Sequence, residues 1–217
     1  TTKTIIDKTK IQIKLSDGKH KFYEYNYRAS IISFKEVLAI DNDNAKANFG
    51  IAQCEYAMKN FAKAKDYAIK AYYTNKEVDP DILYLMGNTY HRIGELKLAE
   101  EFINKFKAGA KEATIKEYDV DLILSQIKYA TNAINENNNA EITNMGDNIN
   151  TSAPEFAPCI SQDGNFMVFT SRRANTKGGA IDINFDHMYY TDIYLCEWDD
   201  YLKQWGEPRN TLGKVNT

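Results

Sequence analysis

The sequence predicts an α+β chain in which an array of paired helices precedes a small antiparallel strand module. Three observations predict it. A small residue recurs at Ser30, Ala64 and Ala99, each inside a helix-period apolar pattern, with steps of 64 − 30 = 34 and 99 − 64 = 35. After the polar run Asn135-Glu136-Asn137-Asn138-Asn139 the pattern changes to short apolar runs bounded by turn residues. The phrase Ile149-Asn150-Thr151 then nearly returns as Val215-Asn216-Thr217. That return reads as one repeat unit followed by the opening of a second, so the natural protein is expected to be longer.

Residues 1–20 are expected to be irregular or a short hairpin. Ile11-Gln12-Ile13-Lys14-Leu15 alternates like a strand, and Ser16-Asp17-Gly18 reads as a turn. Helix is expected from Lys21, and residues 21–136 are assigned to the helical region. In its first copy, Tyr27-Arg28-Ala29-Ser30 leads to Phe34 and Val37. In the second, Phe61-Ala62-Lys63-Ala64 leads to Ala68 and Ala71. In the third, Leu96-Lys97-Leu98-Ala99 leads to Ile103 and Phe106, after Met86-Gly87-Asn88-Thr89-Tyr90 and Gly94. Small residues at these points let paired helices approach, and aromatics fill the space between them. The residues from about 24 to 108 resemble the tetratricopeptide repeat, whose period is about 34. The middle copy departs from it, with Ala52 where glycine is usual and Lys59 at the inter-helix turn. Val120, Ile123, Leu124, Ile127, Ala130 and Ile134 then share one helical face and predict a capping helix. Residues 137–148 are read as a linker.

Residues 149–217 are read as strands. Phe166-Met167-Val168-Phe169 follows the turn pair Asp163-Gly164, and Ile193-Tyr194-Leu195-Cys196 follows a long loop. Neither run alternates with polar residues, so burial on both faces is expected. Ala157-Pro158-Cys159-Ile160-Ser161, Asp163-Gly164, Phe169-Thr170-Ser171-Arg172-Arg173 and Asp192-Ile193-Tyr194 look like the TolB-type, WD40-like propeller repeat. The resemblance implies the first blade of an incomplete β-propeller, with Arg172, Arg173, Asp192, Tyr194 and Trp205 as its motif residues. The step from Ile149 to Val215 is 215 − 149 = 66 positions, longer than a typical blade of about 40–45. The excess lies between about Ala174 and Thr191.

The order of the modules is similar to that of Bacteroidetes-type envelope proteins, which carry tetratricopeptide repeats, a propeller and an OmpA-like peptidoglycan-binding domain. Well-known members belong to the type IX secretion and gliding machinery, as an outer-membrane-associated lipoprotein. The resemblance implies a periplasmic, non-enzymatic scaffold whose partners are other envelope or secretion-system proteins. Peptidoglycan binding and lipid anchoring would reside in parts not contained in this sequence. Two rival readings are a propeller-bearing peptidase and a general tetratricopeptide adaptor.

Composition and spacing exclude other classes. A net charge of -3 does not supply the basic surface that nucleic-acid binding needs. No apolar run approaches the roughly 20 residues of a transmembrane helix. Thr1-Thr2-Lys3 shows no signal peptide, which leaves location open because export removes one. Cys54, Cys159 and Cys196 lack metal-ligand spacing and are expected to be buried thiols. His20, His91 and His187 are scattered. Asp182, Asp186 and Asp192 fit no EF-hand, and Asp192 is read as a turn cap. Gly178-Gly179 reads as a loop tip. No catalytic constellation and no cofactor or metal site is expected. Arg172 and Arg173 end an apolar strand, and ion pairing between blades is their expected role.

The remaining candidate is the concave groove of the helical array. The family pattern places Lys46, Phe49, Gln53 and Tyr56, then Asp81, Tyr84, Asn88, His91 and Arg92, on its first-helix face. Aromatics, amides and cations there would suit an extended peptide, with Tyr56 and Tyr84 as anchors. The alternative is that this face packs against the chain itself or stays solvated.

Overall fold

The computed structural model describes residues 4–136, 141–211 and 216. The chain divides into two compact units, residues 1–138 and 139–217. The sequence reading placed Asn137-Asn138-Asn139 in the linker and Leu212-Gly213-Lys214-Val215 and Thr217 in the closing phrase; these lie outside the described residues, as do Thr1-Thr2-Lys3.

The first unit holds helices α1 (Ile5–Tyr23), α2 (Tyr27–Ile40), α3 (Ala45–Ala57), α4 (Phe61–Thr74), α5 (Ile82–Arg92), α6 (Leu96–Gly109), α7 (Glu112–Glu117) and α8 (Val120–Asn135). Helices α1 to α6 pack as three consecutive pairs and resemble tetratricopeptide repeats. Each pair turns through a left-handed residue: Tyr25 at φ 60°, Lys59 at φ 63° and Gly94 at φ 81°. Only Gly94 adopts that geometry without the Cβ penalty.

Helix α1 corrects the expectation for residues 1–20. Thr4 and Asp7 form a reciprocal capping box that starts the helix before the alternating stretch. Gly18 is not a turn residue. It lies inside α1 where a Cβ would meet the Phe34 ring at 2.7 Å, and its carbonyl accepts from the Ser30 hydroxyl at 2.7 Å. Gly50 serves the same ring from α3, where a Cβ would approach to 2.4 Å. Phe34 thus wedges between two backbones that only glycine brings close enough.

The third pair closes in the same way, with Gly87 against Ile103 and Tyr90 stacked on Phe102. Helix α8 buries Val120, Ile123 and Ile127 in this core. Leu124 and Ala130 are half-buried, but Ile134 is 72% exposed. The predicted face therefore ends one turn early.

The second unit is a curled antiparallel sheet of β1 (Glu155–Ile160), β2 (Phe166–Ser171), β3 (Asp192–Asp199), β4 (Gln204–Trp205) and β5 (Arg209–Asn210). The order is β1-β2-β3-β4, with β5 also paired to β3. Gly164 at φ 76° makes the β1–β2 turn. Burial alternates along β2 and β3, which corrects the expectation of two buried faces. Met167, Phe169, Tyr194 and Cys196 are buried with Ile149 and Trp205. On the other face Phe166 is 42% exposed and Ile193 37%. Among the described residues, one face of the sheet is buried and the other is half-buried to exposed. Cys159 on β1 is exposed, unlike Cys54 and Cys196. Burial pushes the Cys54 thiol up to about 12, which makes it unreactive.

Candidate protein-binding groove

The spacing of α3 sets Lys46, Phe49 and Gln53 on one side of the helix, at i, i+3 and i+7. Helix α1 presents Gln12, Ser16 and Lys19 by the same rule. The α4–α5 connection adds Val78, Asp79 and Asp81. Together they line an open concavity of about 470 Å³, floored by Leu15, Phe22, Phe34 and Phe49. Lys46 is exposed and Gln53 half-buried, whereas Phe49 is buried.

Of the sequence-predicted groove residues, Lys46, Phe49, Gln53 and Asp81 therefore share this site. The others are placed differently. Tyr56 packs edge-on against Phe61, with ring centroids 5.3 Å apart. Tyr84 lies under Tyr118 at 4.7 Å, and its hydroxyl donates to the Tyr118 carbonyl at 3.3 Å. Tyr118 also stacks on Phe106 with an interplanar angle of 4°, and its own hydroxyl donates to Asp81 Oδ2 at 3.1 Å. The α7–α8 corner thus covers the third repeat's share of the face, so Tyr84 is not the open anchor the sequence pattern implied. Asn88 donates from Nδ2 to the Tyr84 carbonyl at 3.0 Å. His91, half-buried, is held below its ordinary value by burial and then by Arg92, which is itself exposed.

The α1 side of the site escaped the sequence reading because α1 itself did. A signal was present. Gly18 precedes Ser30 by 30 − 18 = 12 positions, Ala52 precedes Ala64 by 64 − 52 = 12, and Gly87 precedes Ala99 by 99 − 87 = 12. That register places Gln12, Leu15 and Lys19 in line with Lys46, Phe49 and Gln53.

Asp81 is the electrostatically strained member. Burial pushes its carboxyl up, outweighing the Tyr118 hydrogen bond, and Asp79 and Glu117 add to the rise. The backbone N–H of Asp81 donates to Asp79 Oδ1 at 3.0 Å.

The motif residues of the second unit act within it. Arg172 grips Asp186 with two hydrogen bonds of 2.5 and 2.9 Å and donates to the carbonyls of Tyr189 at 2.6 Å and Met188 at 3.2 Å. The long loop is thereby tied to the end of β2. Arg173 lies over the Phe169 and Tyr194 rings at 5.3 and 4.9 Å. It donates to the Ile149 carbonyl at 3.0 Å and pairs with Glu155 at 3.4 Å. Both arginines thus find ion-pair partners within the second unit, Arg172 in the long loop and Arg173 on β1. Asp192 accepts from the Lys177 N–H, and the Tyr194 hydroxyl donates to Asn175 Oδ1 at 2.9 Å. Trp205 packs edge-on against Trp198 at 5.3 Å. Asp182 accepts from the N–H groups of Asn184 and Phe185. Among the described residues no three His, Cys, Asp or Glu side chains gather to hold a metal ion, and no helix is long and apolar enough to cross a membrane.

No protein-family model matches the chain, and no curated protein matches it. Solved structures do. The Yersinia enterocolitica type III secretion translocator chaperone SycD, in an alternative dimer, superposes with a TM-score of 0.51 and 17% identity over 59% of this chain and 98% of that one. The same chaperone in complex with a peptide of the translocator YopD gives 0.48 and 18% over 55% and 93%. The first tetratricopeptide domain of Spaghetti (RPAP3), bound to an HSP90 peptide, gives 0.47 and 16% over 59% and 95%. At these identities the likeness is one of fold.

Proposed function

We propose that the helical unit is a non-enzymatic protein-binding module that takes an extended segment of a partner along its concave face. The observation that carries this is the open concavity at Lys46, Phe49, Gln53 and Asp81, where a buried aromatic floor meets polar rims. A concavity of that size, lined about equally by polar and apolar groups, can take the side chains of a docked peptide.

The second unit is proposed to be the first blade of a propeller. The phrase Phe169-Thr170-Ser171-Arg172-Arg173, the Asp192-Ile193-Tyr194 strand and the open Phe166–Ile193 face support it. The order of modules supports a place in the periplasm, associated with the outer membrane, among the components of a type IX secretion or gliding system. In that reading each unit holds a different envelope protein. Peptidoglycan would be reached only through a further domain.

Phage-displayed peptides selected on the purified chain test the groove. Selected peptides should lose at least about tenfold in affinity for Gln53→Arg, which fills the concavity, while the helical melting curve is unchanged. Undiminished binding to that variant would move the site elsewhere.

A further inference from the structure

Asn216 completes β3 with its side chain. Its Oδ1 accepts from the Ile193 N–H at 2.8 Å, and its Nδ2 donates to the Ile193 carbonyl at 2.8 Å and to Asn210 Oδ1 at 3.2 Å. Strand β5 pairs with Tyr194 and Leu195 of β3, so at Ile193 one side-chain amide stands where a further strand residue would. The Thr211 N–H also donates to the Ile193 carbonyl, at 3.1 Å, which leaves the Ile193 N–H as the group that depends on Asn216. A primary amide carries donor and acceptor side by side, as a peptide group does. By sequence, Asn216 belongs to the returning phrase. It lies 216 − 150 = 66 positions after Asn150, in Val-Asn-Thr against Ile-Asn-Thr. The residue that bonds β3 of this unit is thus one with which a second unit opens.

Asn150 is its counterpart in the first phrase. Asn216 is 6% exposed, whereas Asn150 is open to solvent. The neighbours of Asn150 are anchored: Ile149 is buried in the sheet core, and the Thr151 N–H and hydroxyl donate to Glu155 at 3.1 and 2.6 Å. Asn150 Oδ1 accepts from the Met145 N–H at 3.0 Å and keeps a second lone pair. We propose that Asn150 is a docking residue for the end of β3 in another sheet unit of this kind, in solution a second copy of this chain. Its Oδ1 accepts from the second copy's strand N–H at the Ile193 position, and its Nδ2 donates to the carbonyl there, as Asn216 does within this unit. The inference deepens the blade reading above and rests on it, because it requires sheet units to stand side by side. The bonding fixes the occupant. It must offer N–H and C=O on one strand residue past the end of the neighbouring strand. A carboxylate at position 150 could not donate, and a lysine could not accept.

The test separates donor from acceptor. The acceptor is the isotope-labelled full chain carrying Asn150→Ala and Asn216→Ala, which vacates its Ile193. The donor is the unlabelled wild-type chain, whose own Ile193 is held by Asn216. Nuclear magnetic resonance should show the acceptor's Ile193 amide shifting as the donor is raised to millimolar concentration. An Asn150→Ala donor should bind at least about tenfold more weakly. If the acceptor loses the wild-type tryptophan emission, Asn216→Asp replaces Asn216→Ala in it. That carboxylate still accepts from the Ile193 N–H but cannot donate to the carbonyl, so the wild-type donor should displace it. An equal Ile193 response to both donors, or a response of the Phe166 ring alone, overturns the role of Asn150 and leaves the blade reading standing. If neither the Ile193 amide nor the Phe166 ring responds to the wild-type chain, sheet units do not stand side by side and both readings fall.

Discussion

Phe34 and Phe166 show how differently the two units treat an aromatic ring. Phe34 is 5% exposed, held between Gly18 and Gly50 on two helices of its own unit. Phe166, on β2, keeps 42% of its surface exposed, on the same face of the sheet as Ile193. In a helical array each pair supplies its neighbour with a surface, so burial accumulates along the sequence. A single sheet has two faces, and the described residues of this unit bury one more fully than the other. The sheet unit compensates with charge: Arg172 on Asp186, and Arg173 over Phe169 and Tyr194. The helical unit's ion pairs are less buried, from the half-buried Lys21–Asp17 to the open Lys116–Glu112. It follows that shape should rule the stability of the first unit and buried charge that of the second. Both tryptophans, Trp198 and Trp205, lie in the sheet unit, so their fluorescence reports that unit while helical circular dichroism reports the other.

The largest effect is expected from Phe34→Ala, which empties the wedge between α1 and α3. It should cost about 3–5 kcal/mol of helical-unit stability. Chemical denaturation followed by circular dichroism should show the loss, with the tryptophan transition unmoved. Next, Arg173→Ala removes a cation from two rings and the charge partner of the mostly buried Glu155, leaving that carboxylate with its hydrogen bonds from Thr151 and Ser171. It should cost the sheet unit about 3 kcal/mol, seen in the tryptophan signal and absent from the helical one. A shift of both signals by either variant would break the division.

Acidity sharpens the same contrast. Burial alone would raise the Asp186 carboxyl, but hydrogen bonds from Arg172 and the Met188 N–H hold it below its ordinary value. A depressed carboxyl contributes stability above its unfolded value, about 3.9, and the contribution is lost as pH falls through the folded value. The advantage of the native sheet over Asp186→Asn should therefore shrink below about pH 4. Asp81 has the opposite sign. Its raised carboxyl favours the fold below about pH 4 and loses that contribution as pH rises. Asp81→Asn should thus gain on the native helical unit with rising pH. Parallel pH slopes for the two variants would contradict these assignments.

What the sequence disclosed depended on how local the cause was. The second helices were legible from Ser30, Ala64 and Ala99, because a small residue at a helix crossing marks itself by period. Helix α1 was obscured because Ile11-Gln12-Ile13-Lys14-Leu15 alternates while Asp17-Gly18 imitates a turn. Only the Phe34 ring, 16 positions from Gly18, explains why glycine stands inside a helix there. Half of the groove was lost with it. The sheet's alternation was hidden for a related reason: Phe166-Met167-Val168-Phe169 is apolar throughout, and which face is closed depends on Ile149, Arg173 and Trp205. Cover of Tyr84 by Tyr118, 34 positions away, leaves no mark in a repeat pattern that ends before it.

That cover supplies the smallest and most local test of the comparison. Tyr118→Phe keeps the ring over Tyr84 and Phe106 and removes only the hydroxyl that donates to Asp81 at 3.1 Å. If the helical unit is ruled by shape, the loss should stay within about 1.5–3 kcal/mol, the range for one hydrogen bond to a charged group. Tyr118→Ala, which removes the ring as well, should cost clearly more and leave Tyr84 open. The two variants separate packing from polarity at one position, read by circular dichroism alone. If Tyr118→Phe were as damaging as Tyr118→Ala, the corner would be held by its polar contact to Asp81 rather than by its stacked rings. The helical unit would then resemble the sheet unit in depending on a buried charge.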